Sequence, residues 1–113
     1  EPKRPALLHG DFWQGNVLTL KGRPAGLIDP AIYYGHPEMD LAFSEMFGSF
    51  GDRFVARYRE VAGLDDGYQE RRDLWNLWPL LVHAYLFGQS YGASVARSLR
   101  RYDLAASLRR LRL

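Results

Sequence analysis

The chain has 113 residues, 47% hydrophobic and 14% aromatic, enough for one small domain that buries roughly two-thirds of its unfolded surface, which excludes a disordered chain. It has no cysteine, so disulfide frameworks and thiolate metal sites are excluded, and the lack of a signal-like stretch or a long uncharged apolar span points to a cytoplasmic protein without a membrane partner. The net charge of +2 is small but uneven, because six arginines stand against one aspartate between Arg97 and Leu113.

Glu1 to Pro5 carries two prolines and no apolar periodicity, which marks an extended linker. Ala6 to Leu8 follows as a short buried strand and feeds the loop His9-Gly10-Asp11-Phe12-Trp13-Gln14-Gly15-Asn16. Val17 to Leu20 and Ala25 to Ile28 are short apolar runs around Lys21-Gly22-Arg23-Pro24, the pattern of a β-hairpin. A turn centred between Gly22 and Arg23 sets Asn16 directly opposite Asp29, about 4.5–5.5 Å away at Cα and on the same face.

Beyond the hairpin, Ala31 to Gly35 is expected to be a loop. Pro37 suits the first turn of a helix reaching about Phe47, where Glu38 and Asp40 complement the positive helix end and Leu41, Phe43, Met46 and Phe47 face the core. A second helix is marked by Asp52 as N-cap, Phe54, Val55, Tyr58 and Val61 at helical spacing, and Gly63 as its stop. Asp65-Asp66-Gly67 makes a turn. A third helix carries Leu74, Leu77, Trp78, Leu81, Val82, Tyr85 and Leu86, a stripe wide enough for burial on more than one side, and Pro79 inside it predicts a bend. Asn76 and His83, two turns apart, either reach toward a substrate cleft or satisfy buried neighbours. Phe87 to Gly92 breaks the helix, and a last one over Ala93 to Leu113 sets Val95, Leu99, Tyr102 and Ala106 on one face. Its arginines lack the aromatic interleaving of nucleic-acid readers and form a solvated face, so no nucleic-acid partner is expected. The fold class is α+β, mostly helical with one small hairpin.

Asp11 and Asn16 stand at the spacing of the protein-kinase catalytic loop, with Gly10 where that family has Arg and Pro30 where its metal-binding motif has Phe. His-Gly-Asp and Asn are ordinary turn formers too, but four fixed positions arise by chance on the order of once in several thousand chains this long. Phosphoryl transfer asks a protein to hold phosphate charge and orient an attacking hydroxyl. Asp11 suits the task of orienting and deprotonating that hydroxyl, and Asn16 and Asp29 offer the hard oxygens that Mg²⁺ prefers.

With Ile28-Asp29-Pro30 and Tyr33-Tyr34-Gly35-His36-Pro37-Glu38-Met39-Asp40-Leu41-Ala42 added to the loop, the chain resembles the fructosamine/ketosamine kinases, a branch of the aminoglycoside-phosphotransferase-like kinases. The resemblance runs from His9 into the third helix. It implies a protein-kinase-like C-lobe spanning residues 1–113, and ATP and Mg²⁺ as cofactors. It also implies phosphorylation of a sugar hydroxyl on ketosamines, the products of glycation. By the same resemblance Asp11 is the catalytic base, Asn16 and Asp29 bind the metal and nucleotide, and Trp13, Tyr34 and His36 meet the substrate. His9 packs under the loop and Asp40 braces it. The family's glycine-rich loop, strand-borne lysine and helix-borne glutamate cannot be found, so the chain is expected to be the C-terminal piece of a longer kinase, inactive alone and prone to self-association. Another small-molecule kinase, of aminoglycoside or choline type, is disfavoured by Trp13 and the Tyr33 to His36 stretch. A non-catalytic kinase-like binding module is disfavoured by the intact Asp11, Asn16 and Asp29.

Overall fold

A computed structural model describes residues 4–88 and 90–102. In chain order the elements are β1 (Ala6–Leu8), a 3-10 turn (Gln14–Asn16), β2 (Val17–Leu20), β3 (Arg23–Leu27), β4 (Tyr33–Gly35), α1 (Glu38–Met46), α2 (Asp52–Ala62), α3 (Tyr68–Phe87) and α4 (Ser90–Tyr102). The described residues are thus α+β and mostly helical. Two compact units divide the chain, Glu1–Asn76 and Leu77–Leu113, with the boundary inside α3.

The first unit holds two small antiparallel sheets. In one, β1 pairs with β4 through Ala6 with Gly35, Leu7 with Tyr34 and Leu8 with Tyr33, so part of the segment expected as a loop is a strand. Only Leu8 of β1 is buried, since Leu7 lies on the outer face. The other sheet is the hairpin, and its turn is Lys21-Gly22, both at positive φ (52° and 74°), as a two-residue hairpin turn matching the strand twist requires. Leu20 therefore opposes Arg23. A register shift between Leu18 and Thr19 then sets Leu18 opposite Gly26 and Val17 opposite Leu27. Continuing that pairing, the Ile28 N–H donates to the Asn16 carbonyl at 3.0 Å. Asn16 thus opposes Ile28, and Asp29 lies one residue beyond its expected place. An earlier turn and one extra residue in β3 account for the difference.

The core of this unit is Leu41 and Ala42 of α1, Val55 of α2 and Tyr68 of α3, with Phe54, Tyr58, Leu64 and Trp75 packed against it. Full burial of a Leu or Val side chain stabilises by about 1.5–3 kcal/mol, so these positions are what hold the three helices together. The α2 helix begins one residue earlier than its acid suggests: Gly51 is the N-cap, its carbonyl accepting the amides of Phe54 and Val55, and Asp52 is already helical. It ends at Gly63 in the left-handed conformation, and Val61 is exposed.

In the second unit, α3 stays helical through Pro79, whose missing N–H leaves the Trp75 carbonyl without its usual partner. His83 Nδ1 donates to the Pro79 carbonyl at 2.7 Å, and its ring lies against Phe87 and Tyr91. These are contacts with its own helix and its neighbours. Leu74, Trp78, Leu81, Tyr85 and Leu86 are exposed, so the stripe expected to be buried on several sides is open to solvent. Gly88, at positive φ, ends α3, and α4 has started by Ser90 instead of Ala93. Ala106 and the arginines beyond Tyr102 lie outside the described residues. Among the described residues no helix is long and apolar enough to cross a membrane.

Candidate active site

The loop from His9 to Asn16 is fixed by bonds from four directions, all within the first unit. From α1, the Asp40 carboxylate accepts the His9 N–H at 2.7 Å and the Gly10 N–H at 3.0 Å. From the hairpin's far end, the Ile28 carbonyl lies 2.8 Å from His9 Nε2, while His9 Nδ1 accepts the Asp11 N–H at 3.2 Å. Those two bonds select the neutral imidazole with its proton on Nε2. The His9 carbonyl in turn accepts the Ala31 N–H at 2.8 Å. His9 is therefore a three-way joint beneath the loop.

Gly10 is needed where it stands. Its φ is +85°, and an added Cβ would run into the Ala31 carbonyl oxygen. Phe12 stacks on Phe50 with ring centres 5.2 Å apart and tilts against Phe54 at 6.0 Å, which pins the loop to the start of α2. Gln14 adds a bond from Nε2 to the Ser49 carbonyl at 2.9 Å. Trp13 meets Phe47 edge to face and folds back over Gly15, where a side chain would collide with the indole. Trp13 remains 38% exposed.

Asn16, buried at the end of the 3-10 turn, points its Nδ2 at both the Asp11 carbonyl (2.8 Å) and Asp11 Oδ2 (3.0 Å). With the amide nitrogen committed, Oδ1 faces the other way, and Asp11 keeps its second carboxylate oxygen for another partner. Asp29 is held beside this pair by its neighbours, since Ile28 bonds to Asn16 and His9 and Ala31 bonds to His9. Its φ of +50° places it in the left-handed region, which aspartate tolerates better than most residues. Its carboxylate is exposed. No group of three or more His, Cys, Asp or Glu side chains gathers for a metal among the described residues. Asn16 and Asp29 lie on stretches of backbone joined through Ile28, and both carry the hard oxygen donors that suit a Mg²⁺ taking most of its ligands from water and phosphate.

Tyr34 is exposed on β4. His36 accepts the Glu38 N–H through Nδ1 at 3.1 Å and stacks on Trp75 at 5.1 Å, so one ring nitrogen caps α1 and Nε2 is left for other partners. Asn76 donates to the Ala42 carbonyl at 2.8 Å from a buried position, while its Oδ1 has no bond.

Glu38 was legible only as a helix-end acid, yet it is 1% exposed and lies at the centre of a charged network. Arg71 binds it with two parallel bonds (Nε to Oε2, 2.9 Å; Nη2 to Oε1, 2.6 Å), Trp75 Nε1 donates to Oε2 at 2.7 Å, and Arg71 also reaches Asp65. Burial alone would push the Glu38 carboxyl up, but the bonds from Arg71 and Trp75 outweigh it and hold the group below the usual glutamate range. Burial, and then the charge of Asp40, push the Tyr58 phenol up to about 12, with its hydroxyl donating to the Pro37 carbonyl. The Tyr68 phenol, buried and bonded to Glu45, is also raised.

Residues 1–105 match the family model described as fructosamine kinase. A "probable ketoamine kinase" of Enterococcus faecium is 41% identical over 105 residues, covering 90% of this chain and 38% of that protein. The chloroplastic protein-ribulosamine 3-kinase of Arabidopsis thaliana is 44% identical over 90 residues, covering 80% of this chain and 27% of its own length. The crystal structure of a protein assigned as a fructosamine-3-kinase from Thermobifida fusca superposes with a TM-score of 0.79 at 43% identity, covering 89% of this chain and 35% of that one. The chain spans about a third of the length of these relatives. Matched by the family model across most of its residues, the chain belongs to the fructosamine kinase family.

Proposed function

We propose that this chain is the catalytic C-lobe of a protein-kinase-like enzyme that phosphorylates a sugar hydroxyl of ketosamines, small or protein-bound, with ATP and Mg²⁺ in the cytoplasm. The nucleotide lobe lies, on this reading, in polypeptide outside the 113 residues. The observation that carries the proposal is the coupling of Asp11 to Asn16, whose amide nitrogen sits 3.0 Å from Asp11 Oδ2. It fixes the proposed base beside a proposed ligand oxygen and leaves one carboxylate oxygen of Asp11 open. Asp11 takes the proton of the attacking hydroxyl as that oxygen bonds to the γ-phosphorus and the bond to the departing ADP breaks. Bound Mg²⁺ supplies compensation for phosphate charge, and Asn16 Oδ1 and the Asp29 carboxylate would hold it. Trp13 covers the apolar C–H face of the sugar, with Tyr34 and the free nitrogen of His36 toward its polar groups.

The test uses this chain alone and a chimera in which it replaces the matched stretch of the Enterococcus faecium relative. Each is incubated with Mg-ATP and fructoselysine, ribuloselysine, kanamycin or choline, and products are read by mass spectrometry. The chimera should add one phosphoryl group to the ketosamines only, and the chain alone to none. Phosphorylated kanamycin with unmodified fructoselysine would end the ketosamine assignment.

A further inference from the structure

We propose that Arg71 is a positioning residue for the loop: its forked grip on Glu38 sets the first turn of α1, and through it the place where the Asp40 carboxylate meets the amides of His9 and Gly10. The proposal rests on the reading of residues 9–16 as a catalytic loop for its functional meaning, but not for its test.

Glu38 and Asp40 are two residues apart on one helical turn, about 3 Å along the axis and about 200° around it. Glu38 therefore faces Arg71 and Trp75 of α3 while Asp40 faces the loop, and the turn between them acts as a strut. Other contacts stiffen it. Tyr58 of α2 donates to the Pro37 carbonyl at 2.9 Å, and His36 accepts the Glu38 amide at 3.1 Å. Arg71 is itself steadied by Asp65 Oδ1 at 2.6 Å. A displacement of Glu38 has nowhere to dissipate before it reaches Asp40.

The simpler view is that the pair only fastens α1 to α3. Burying an ion pair gains little over apolar packing of the same volume, because desolvation offsets the attraction. What a planar fork adds is geometry, since two parallel bonds fix both angle and register where a greasy contact would let the helices slide. Trp75 gives the same carboxylate a third fixed donor. A network built for direction is what a loop that must hold a base in place would require.

The experiment uses the ¹⁵N-labelled chain without substrate. Arg71→Met should move the His9 and Gly10 amide protons upfield as their bonds to Asp40 lengthen, and should speed their hydrogen exchange by about tenfold or more through local opening. Arg71→Lys, which keeps the charge and loses the fork, should give a smaller change of the same sign. The Gly88 amide, bonded to the Ala84 carbonyl, should stay put. If Arg71→Met does not fold, Arg71→Lys and Trp75→Phe decide on the same readout. Unmoved His9 and Gly10 amides in a folded variant with a lowered Tm would overturn the proposal and leave a plain fastening. Moved amides alongside a chimera that phosphorylates no ketosamine would instead discard the proposed function and leave the positioning standing.

Discussion

Replacing Asp40 with alanine removes the acceptor of two loop amides at once. The bonds are 2.7 Å and 3.0 Å long, and Asp40, which accepts them, is 8% exposed. A hydrogen bond to a charged group contributes about 1.5–3 kcal/mol net, and because the loop amides are only partly buried, water recovers some of the loss, so about 2–4 kcal/mol is expected for the pair. That is a large share of the roughly 5–15 kcal/mol that holds a typical domain together. Urea unfolding followed by tryptophan fluorescence measures it. With a slope of about 2 kcal/mol per molar, Asp40→Ala should lower the midpoint by about 1–2 M. Asp40→Asn keeps one acceptor and turns an NH₂ toward the other amide, and should fall between. A midpoint lowered by less than about 0.3 M in the alanine variant would show that the two bonds do not hold the loop.

Gly10→Ala should cost about 1–2 kcal/mol for the left-handed backbone, and more as Ala31 is pushed off the His9 carbonyl; an unchanged Tm would contradict the close approach described. In the chimera, Asp11→Asn should lower turnover by about 10²–10⁴-fold with little change in stability, whereas Asp29→Ala should weaken Mg-ATP binding, and equal calorimetric affinity in mutant and parent would remove Asp29 as a ligand. In the unfolded chain a tyrosine loses its proton near pH 10, but folded Tyr58 keeps it to about 12, so stability should fall as pH rises across that interval. Tyr58→Phe should flatten the fall, on the order of 1 kcal/mol after allowance for solvent, and an unaltered alkaline limb in circular dichroism would dissociate Tyr58 from it. Leu18, Leu20, Leu27, Ile32 and Tyr34 are exposed on the first unit, so sedimentation of this chain alone should show a dimer or larger species, and a monomer at high concentration would refute that expectation.

Much of this molecule is written locally, and that part is legible. Gly63 ends α2 and Gly88 ends α3 where a left-handed residue is required, and the spacing of Asp11 and Asn16 marks the loop before any fold is known. The hairpin was legible as a hairpin, but its register was not, because Lys21-Gly22 and Gly22-Arg23 are both plausible turn centres by composition and the extra residue in β3 has no sequence mark. Strand β4 is three residues long and draws its partner from β1 across the whole hairpin, so no periodicity announces it. Glu38 and Arg71 lie 33 positions apart. Each looks like an ordinary surface charge on its own helix, and only the packing of α1 against α3 brings them together and buries the Glu38 carboxylate. Burial of the third helix was overestimated for a related reason: an apolar stripe says that a face wants cover, not whether this chain supplies it.

The distant origin of the loop's anchors bears on the order in which the protein folds. The bonds to His9 and Gly10 come from 31 and 30 residues away, and the one to Gln14 from 35. Closing such loops costs entropy that is recovered only once α1 has docked, so the helices should assemble first and the loop should lock last. In chevron kinetics the loop would then be a low-φ region, where variants hasten unfolding and leave the folding rate nearly untouched. The segment proposed for chemistry would also be the first to let go, opening as a unit while the helical core around Leu41 and Tyr68 still stands.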